Sequence, residues 1–262
     1  MLLYEPPNPR ARYVMGVDAT QGRTGWSRYS TTENDTDIDN GAIEILRIGR
    51  GEPGAPNFVP DTQVAEYAAP IDPYDLARVA NTLGRLYGGS NEDGQAHCIA
   101  EVWPGPGGPL QRELQDRYGY TNLYMTQYLD TGEQAAKQGQ FGWYSNKQTM
   151  QHLWTKGLRE IHRNRVLFRS IHLVEEFANC EMDLVRLRGA AAGTGHDDRV
   201  TACLLAIWAM RGYSFGGETR ASRVESGPVV NWQASDISAE RMQDEWQKRF
   251  EEISAEAEEE YS

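Results

Sequence analysis

The chain has 262 residues, of which 39% are hydrophobic and 10% aromatic, so it can form a buried core and is not a disordered chain. Its three cysteines form no C-x-x-C pair, which argues against a zinc ribbon. No apolar run approaches 18 residues, so neither a membrane span nor secretion is predicted. A formal net charge of −12 argues at first against a nucleic-acid partner, because binding phosphates requires local positive charge.

The first half of the chain has the pattern of an α/β domain that begins with strands. Four strands are predicted, over residues 12–18, 26–32, 42–48 and 97–103. We expect the first three to form an antiparallel meander, since a polar turn separates the second from the third. A helix is predicted from Pro73 to about Tyr87, because Asp72 is a typical helix cap and proline fits the first helical position.

Helices dominate the second half of the chain. After the strand over 97–103, a helix is predicted to end near Tyr118, and polar caps open two more. The remaining predicted elements are a strand over 120–126, a mobile loop over 127–141, helices over 145–164 and 170–179, a strand over 183–188 and a strongly apolar helix over 200–210.

The negative charge is concentrated at the carboxyl end of the chain. Residues 218–262 contain 12 acidic and 5 basic side chains, a net charge of −7. Residues 147–169, in contrast, contain six basic side chains and one acidic, a net charge of +5. This basic segment is either a surface for duplex phosphates or an ordinary solvated helix face.

Acidic residues stand at the edges of three predicted elements. Asp18 ends the first strand, Glu101 lies near the end of the fourth, and Asp197 and Asp198 precede the apolar helix. A turn would explain Asp18, and capping of the apolar helix would explain Asp197 and Asp198. Glu101 is different, because it lies among apolar residues, where a charge needs a partner or a metal. Carboxylate oxygens suit Mg²⁺, and two ions about 4 Å apart can catalyse phosphodiester hydrolysis.

Two motifs are the most specific features of the chain: GVDATQG at 16–22 and TGHDDRV at 194–200. Together with IAEVWPGPGGPL at 99–110, they resemble the C-terminal nuclease domain of viral terminase large subunits, over residues 13–210. The order of strands and helices, with acids at the ends of the first and fourth strands, is similar to that of the RNase H-like nucleases. The resemblance implies an α/β fold with a mixed central β-sheet and flanking helices.

The same resemblance implies an endonuclease that cleaves concatemeric viral double-stranded DNA during genome packaging, with little sequence preference. The metal-binding and catalytic acids of the family map onto Asp18, Glu101 and Asp198, with Asp197 as a supporting carboxylate. We favour Asp198 as the main ligand of the adjacent pair. The expected arrangement places Asp18 between two Mg²⁺ or Mn²⁺ ions, with Glu101 on one ion and Asp198 on the other.

The resemblance also implies partners: double-stranded DNA, a packaging ATPase domain, the small terminase subunit and the capsid portal, in the cytoplasm of the infected host cell. No G-x-x-x-x-G-K-[ST] loop occurs, so we expect an isolated nuclease domain without ATPase activity. We interpret residues 1–11 as a remnant of an interdomain linker and 12–212 as the nuclease domain. Residues 213–262 are predicted to be a linker and acidic tail with a short amphipathic helix, which either engages the portal or packs on the nuclease.

Candidate DNA-binding residues lie on the basic segment and beside the acids. They are Lys147, Lys156, Arg159, Arg163, His196 and Arg199. For His196, a proton relay or phosphate contact competes with a structural role in orienting its loop. For Arg199, a DNA contact competes with an ion pair to a nearby acid. Trp143 and Tyr144 either stack on DNA or pack in the core.

Two other functions fit parts of the sequence. Another RNase H-like nuclease, such as a Holliday-junction resolvase, would have a similar arrangement of acids and would prefer four-way junctions to linear duplex. A non-catalytic packaging adaptor would use the fold for docking alone and would bind neither Mg²⁺ nor Mn²⁺. The presence of all four acids, Asp18, Glu101, Asp197 and Asp198, favours an enzyme.

Overall fold

The structure is a computed structural model that describes residues 1–19, 40–103, 107–126, 141–183, 188–191 and 197–217. Its strands are β1 (Leu2–Leu3), β2 (Tyr13–Asp18), β3 (Gly41–Arg47), β4 (Asp61–Ala69), β5 (His97–Trp103), β6 (Trp143–Tyr144), β7 (Val166–Leu167), β8 (Cys180–Asp183) and β9 (Arg188–Ala191). Its helices are α1 (Pro73–Leu86), α2 (Gly107–Arg112), α3 (Lys147–His162), α4 (Ile171–Asn179) and α5 (Asp198–Gly217), with a π-helical turn at Glu113–Arg117 after α2.

Seven strands form one mixed sheet in the order β1-β4-β3-β2-β5-β6, with β7 beside the start of β4. Strands β2, β3 and β4 are an antiparallel meander. Strand β5 joins β2 on its other side in parallel, and β6 joins β5 in parallel. This mixed sheet with flanking helices confirms the predicted α/β fold class.

The composition of the predicted meander was wrong. Strand β2 pairs directly with β3 on one side and with β5 on the other, so the described meander consists of β2, β3 and β4. The third member is β4, which the sequence analysis did not predict. Buried polar residues in β4, Gln63 and Glu66 among them, hide the apolar pattern that marks a strand.

Two other predicted strands differ from the structure. The segment over 120–126 makes only isolated bridges, from Leu123 to Cys98 and from Met125 to Phe141. The predicted strand over 183–188 also differs, because Asp183 ends β8 and Arg188 begins β9, two strands that pair antiparallel. Several predictions fall outside the described residues: the strand over 26–32, most of the loop over 127–141, His196 and residues 218–262 of the tail. The predicted linker from 213 starts too early, because α5 continues to Gly217.

The predicted helix starts are confirmed. The Asp72 side chain accepts hydrogen bonds from the N–H groups of Tyr74 and Asp75 at the start of α1. Asn146 and Thr149 form a reciprocal capping box at α3, and the Ser170 hydroxyl accepts from the Leu173 N–H at α4. These side chains satisfy N–H groups that have no partner inside a helix, and so they locate each helix start.

Both faces of the sheet are buried. Alternate residues of β2, Tyr13, Met15 and Val17, pack in the core on the side of α1 and α2. Val14 packs on the opposite side, in the core with α3 and α5. Because side chains alternate along a strand, Asp18 lies on the α5 side.

The first residues of the chain are part of the folded layer. Strand β1 pairs with β4, and the Tyr87 hydroxyl donates to the Glu5 carbonyl oxygen at 2.7 Å. The Glu5 carboxylate forms ion pairs with Arg47 and Arg169 at 3.1 and 2.7 Å. None of the described helices combines the length and the apolar character needed to span a membrane.

Candidate metal centre

Two neighbouring strands place the first two acids side by side. Strands β2 and β5 are parallel, with Val17 opposite Ala100. The next residue on each strand is an acid, Asp18 on β2 and Glu101 on β5. Both therefore lie at the carboxyl ends of adjacent parallel strands, the edge at which ligand sites form in parallel sheets.

A glycine brings α5 to the same point. A Cβ at Gly16 would overlap the carbonyl oxygen of Ala202, so the helix backbone lies directly on β2. Only glycine permits an approach this close. Asp198 precedes Ala202 by four residues, about one helical turn, so the first turn of α5 lies beside the end of β2, where Asp18 stands.

A second glycine closes the other side of the site. A Cβ at Gly107, the first residue of α2, would overlap the carbonyl oxygen of Glu101. The start of α2 therefore packs against the backbone of β5 at the acid itself. The backbone of Glu101 is held by this contact and by its pairing with Trp143 of β6.

The carboxylates interact strongly with one another. Burial raises the pKa of Asp18 well above its ordinary value, and the charges of Glu101, Asp198 and Asp197 and a hydrogen bond with Glu101 raise it further. Since like charges oppose ionisation mainly at short range, Glu101, Asp197 and Asp198 lie near Asp18 in the fold. A site that disfavours its own negative charge is one that a cation stabilises.

Hydrogen bonds hold the aspartate pair at the helix start. The Asn40 N–H donates to Asp198 Oδ2 at 2.9 Å, and only 8% of Asp198 is exposed. The carbonyl oxygen of Asp197 accepts from the Thr201 N–H at 2.8 Å, which places Asp197 at the helix cap. Asp198 is thus the more deeply held of the two carboxylates.

The donor set fits a hard divalent cation. All four side chains offer carboxylate oxygens, the ligands that Mg²⁺ and Mn²⁺ prefer. Within the described part of the chain, no three His, Cys, Asp or Glu side chains already stand in the arrangement of a finished metal centre.

No family model and no curated protein matches the chain. A solved structure similar in fold is the large terminase nuclease from thermophilic phage G20c with bound magnesium, at 15% identity and a TM-score of 0.49, covering 79% of this chain and 86% of that one. Another is the Thermus phage P74-26 large terminase nuclease domain, at 16% identity and a TM-score of 0.49, covering 78% and 83%. Both structures are nuclease domains of phage large terminases.

The sequence motifs resemble the same class of protein as these two structures. At such low identity, a similar fold carries no information on which side chains act. The chemistry of the site therefore has to follow from its own carboxylates.

The predicted basic residues of α3 do not form one stripe. At about 100° per residue, Lys147 lies on the opposite side of the helix from Lys156. The Lys156 ammonium lies 3.9 Å from the centre of the Trp208 ring. Arg159 is exposed but forms an ion pair with Glu160 at 3.5 Å, and Arg163 is exposed at the end of the helix.

Other charges of the basic segment are balanced by acids from distant parts of the chain. Arg165 forms ion pairs with Glu52 at 2.7 Å and with Asp61 at 3.8 Å, and Arg169 pairs with Glu5 at 2.7 Å. The net charge of +5 counted along the sequence is therefore smaller on the folded surface.

Arg199 forms the ion pair that was one of its two predicted roles. Its Nε donates to Glu66 Oε1 at 2.9 Å, and its Nη1 contacts Glu176. Trp143 is buried against Trp208 with ring centres 4.8 Å apart, so it packs in the core, whereas Tyr144 is half-buried.

Sequence reasoning missed several residues that shape this site. They are Asn40, Glu66, Glu176 and the two close-packed glycines, Gly16 and Gly107. One signal was present in the sequence. Glu44 lies among alanine, isoleucine and leucine residues in β3, as Glu101 lies among apolar residues in β5, and a buried acid in such a run indicates a polar partner nearby.

Glu44 provides a test of this buried polar layer. It is completely buried, and Gln63 Nε2 donates to its Oε2 at 2.7 Å. Burial, and then the charge of Glu66, raise the pKa of Glu44 well above its ordinary value near 4.5. The folded chain therefore binds this proton more tightly than the unfolded chain, and the associated stability is lost as the pH rises above about 4.5.

We expect Glu44→Gln to stabilise the protein increasingly from pH 4.5 to pH 8, by on the order of 1 kcal/mol at the upper end. The amide needs no proton to stay neutral and can donate to Glu66. Urea unfolding across this pH range measures the difference, with exposed Glu92→Gln as the control. A pH-independent difference between Glu44→Gln and the parent would contradict the assignment of a proton to Glu44.

Proposed function

We propose that this chain is a Mg²⁺- or Mn²⁺-dependent endonuclease that hydrolyses double-stranded DNA with little sequence preference, as the nuclease of a phage packaging terminase. The observation that carries the proposal is the placement of Asp18 and Glu101 on adjacent parallel strands beside the first turn of α5. The charges of Glu101, Asp197 and Asp198 all raise the pKa of Asp18. An all-carboxylate site at the ends of parallel strands suits hydrolysis of phosphodiesters by divalent ions.

Each acid has a distinct place in the proposed mechanism. Asp18 interacts with all three others, so it is the carboxylate that would be shared if two ions bind. Glu101 and Asp198 would then each hold one ion, and Asp197 would support Asp198. When bound, the ions supply a water of lowered pKa and neutralise the charge on the departing oxygen.

The protein holds this set of ligands in advance. The backbone of Glu101 is packed against Gly107, and Asp198 accepts a hydrogen bond from Asn40. Contacts of this kind limit the positions that Glu101 and Asp198 can take up when a cation binds. No covalent intermediate is required in such a mechanism.

DNA is proposed to bind weakly to the isolated chain. The exposed cations of α3, Lys147, Arg159 and Arg163, can contact phosphates but do not form one continuous stripe. Phosphate contacts of this kind position a duplex without reading its sequence. We propose that the packaging ATPase domain, the small terminase subunit and the portal provide the remaining affinity for DNA. This assembly would act in the cytoplasm of the infected host cell.

Supercoiled plasmid incubated with the protein is expected to be nicked and linearised with Mg²⁺ or Mn²⁺, and to stay intact with EDTA. The rate should fall steeply with added NaCl, because the contacts release counterions from the duplex. Cleavage in EDTA would contradict the metal-dependent mechanism. Preferential cleavage of a four-way junction over linear duplex would favour a resolvase, and failure to bind Mn²⁺ by calorimetry would favour an adaptor.

A further inference from the structure

Arg199 stands next to Asp198 and joins three elements of the fold. Its guanidinium pairs with Glu66 of β4 at 2.9 Å and with Glu176 of α4. Its backbone N–H also donates to Glu176 Oε2 at 3.0 Å. The first turn of α5 is therefore tied to the sheet through a side chain, and to α4 through both a side chain and the main chain.

The arrangement is shielded from water. The side chain of Arg199 is 21% exposed, and those of Glu66 and Glu176 are 3% and 12% exposed. Ion pairs at this depth are screened far less than surface pairs. Removing the arginine would leave two buried carboxylates without their cation, a strongly unfavourable state.

The two glutamates are themselves fixed. Gln63 Nε2 lies 3.4 Å from Glu66 Oε2, and Gln63 Oε1 accepts from the N–H groups of Arg169 and Ser170 just before α4. Glu176 lies one residue before Phe177, whose ring stacks on Phe168 at 5.5 Å between centres. The partners of Arg199 thus have contacts of their own on the sheet side and beside Glu176 on α4.

We propose that Arg199 is a positioning residue, which with Glu66 and Glu176 holds the first turn of α5 so that Asp197 and Asp198 face Asp18. The inference rests on the proposed function of the same site. It assigns Arg199 to the affinity for the divalent cation and not to DNA, because its guanidinium is turned to two carboxylates of the protein. Residues that orient the ligands of a metal in this way typically change metal affinity when replaced.

The geometry also explains the choice of arginine. A guanidinium has five N–H donors in a planar fork and can serve two carboxylates at once. A lysine ammonium at the same place would be a single point charge on a more flexible stem. Arg199→Lys therefore keeps the positive charge but cannot bind both Glu66 and Glu176 in the same way. This variant distinguishes a positioning role of Arg199 from simple neutralisation of the two carboxylates.

The test measures Mn²⁺ binding by calorimetry in the absence of DNA. We expect Arg199→Lys and Glu176→Gln to raise the Kd for Mn²⁺ by about 10-fold or more. Plasmid cleavage by either variant should recover to within about twofold of the parent at saturating Mn²⁺, because the ligands themselves are intact. Because Mn²⁺ also stabilises the folded state, cleavage is compared at a temperature at which the metal-free variants are folded. Arg78→Met removes an exposed ion pair to Asp75 on α1 and serves as the matched control.

Other outcomes decide against the inference or against the proposed function. Parental Mn²⁺ affinity in both folded variants would overturn the positioning role. The same conclusion follows if the variants bind Mn²⁺ normally and lose affinity for duplex DNA, since Arg199 would then contact phosphate. If the parent chain neither binds Mn²⁺ nor cleaves plasmid, the proposed function itself fails. Circular dichroism and thermal unfolding show which variants are folded.

Discussion

Asp18→Asn is expected to lower metal-dependent DNA cleavage by about 10³-fold or more, equivalent to roughly 4 kcal/mol of transition-state stabilisation. Asp18 is the acid whose pKa the other three raise, so its loss removes the carboxylate that would be shared in the proposed site. An amide oxygen is a weaker ligand for a hard cation than a carboxylate. Initial rates of plasmid nicking across a Mn²⁺ titration measure the effect.

The same variant has an opposite effect on stability. Burial and the charges of its neighbours disfavour the Asp18 carboxylate, so its removal should raise the unfolding temperature in metal-free buffer. Added Mn²⁺ should stabilise the parent, because it binds the folded state, and should stabilise Asp18→Asn much less. A higher unfolding temperature together with lost DNA cleavage is expected if Asp18 is a metal ligand. An acid that only stabilises the fold would lower the unfolding temperature when replaced.

Asp116→Asn provides the matched control for this experiment. Asp116 is exposed on the π-helical turn after α2, and the substitution makes the same chemical change. We expect parental cleavage and little change in unfolding temperature. Parental cleavage by Asp18→Asn, measured beside this control, would remove the basis of the proposed mechanism.

Gly16→Ala is expected to destabilise the protein by about 3 kcal/mol, because the added methyl would overlap backbone atoms that cannot move aside easily. The nearest of these atoms are the carbonyl oxygen of Ala202 and the N atom of Ala206, both on α5. The folded fraction should also cleave DNA poorly, since α5 must move away from β2 and carry Asp198 with it. Urea unfolding and plasmid cleavage measure the two effects.

Gly108 provides a control that tests whether steric overlap causes the destabilisation expected for Gly16→Ala. At Gly108, the nearest atom to an added Cβ is the Val102 carbonyl oxygen at 3.9 Å, an ordinary contact. Gly108→Ala should therefore be tolerated, and the higher helix propensity of alanine favours it. Equal unfolding midpoints for Gly16→Ala and the parent would show that α5 does not depend on this close contact.

Much of the fold followed from local patterns. Asp72 and Pro73 predicted the start of α1, and the caps at Asn146 and Ser170 predicted α3 and α4, because a helix start depends on a few adjacent residues. Strand β4 was missed for a physical reason as well. Its buried Gln63 and Glu66 form hydrogen bonds with residues that are distant in the sequence, so no local pattern indicates that they are buried.

In the candidate site, too, some features were predicted from the sequence and others were not. Asp18 and Glu101 were predicted because each ends or nearly ends a strand, and parallel strands bring such ends together. The basic segment was harder to interpret from sequence. Arg165 and Arg169 are neutralised by Glu52 and Glu5, more than 100 residues earlier in the chain, so a count of charges over 147–169 overstates the basic surface.

The sequence by itself determined the chemistry of the site: carboxylates at strand and helix ends, of a kind that binds hard cations. Only the tertiary structure decided how they are held. The approach of α5 over Gly16 and the pairing of Arg199 with Glu66, 133 residues away, depend on elements that meet only when the sheet and its helices pack. Local sequence patterns act over one turn or one strand, whereas these contacts follow from the three-dimensional packing of the whole chain.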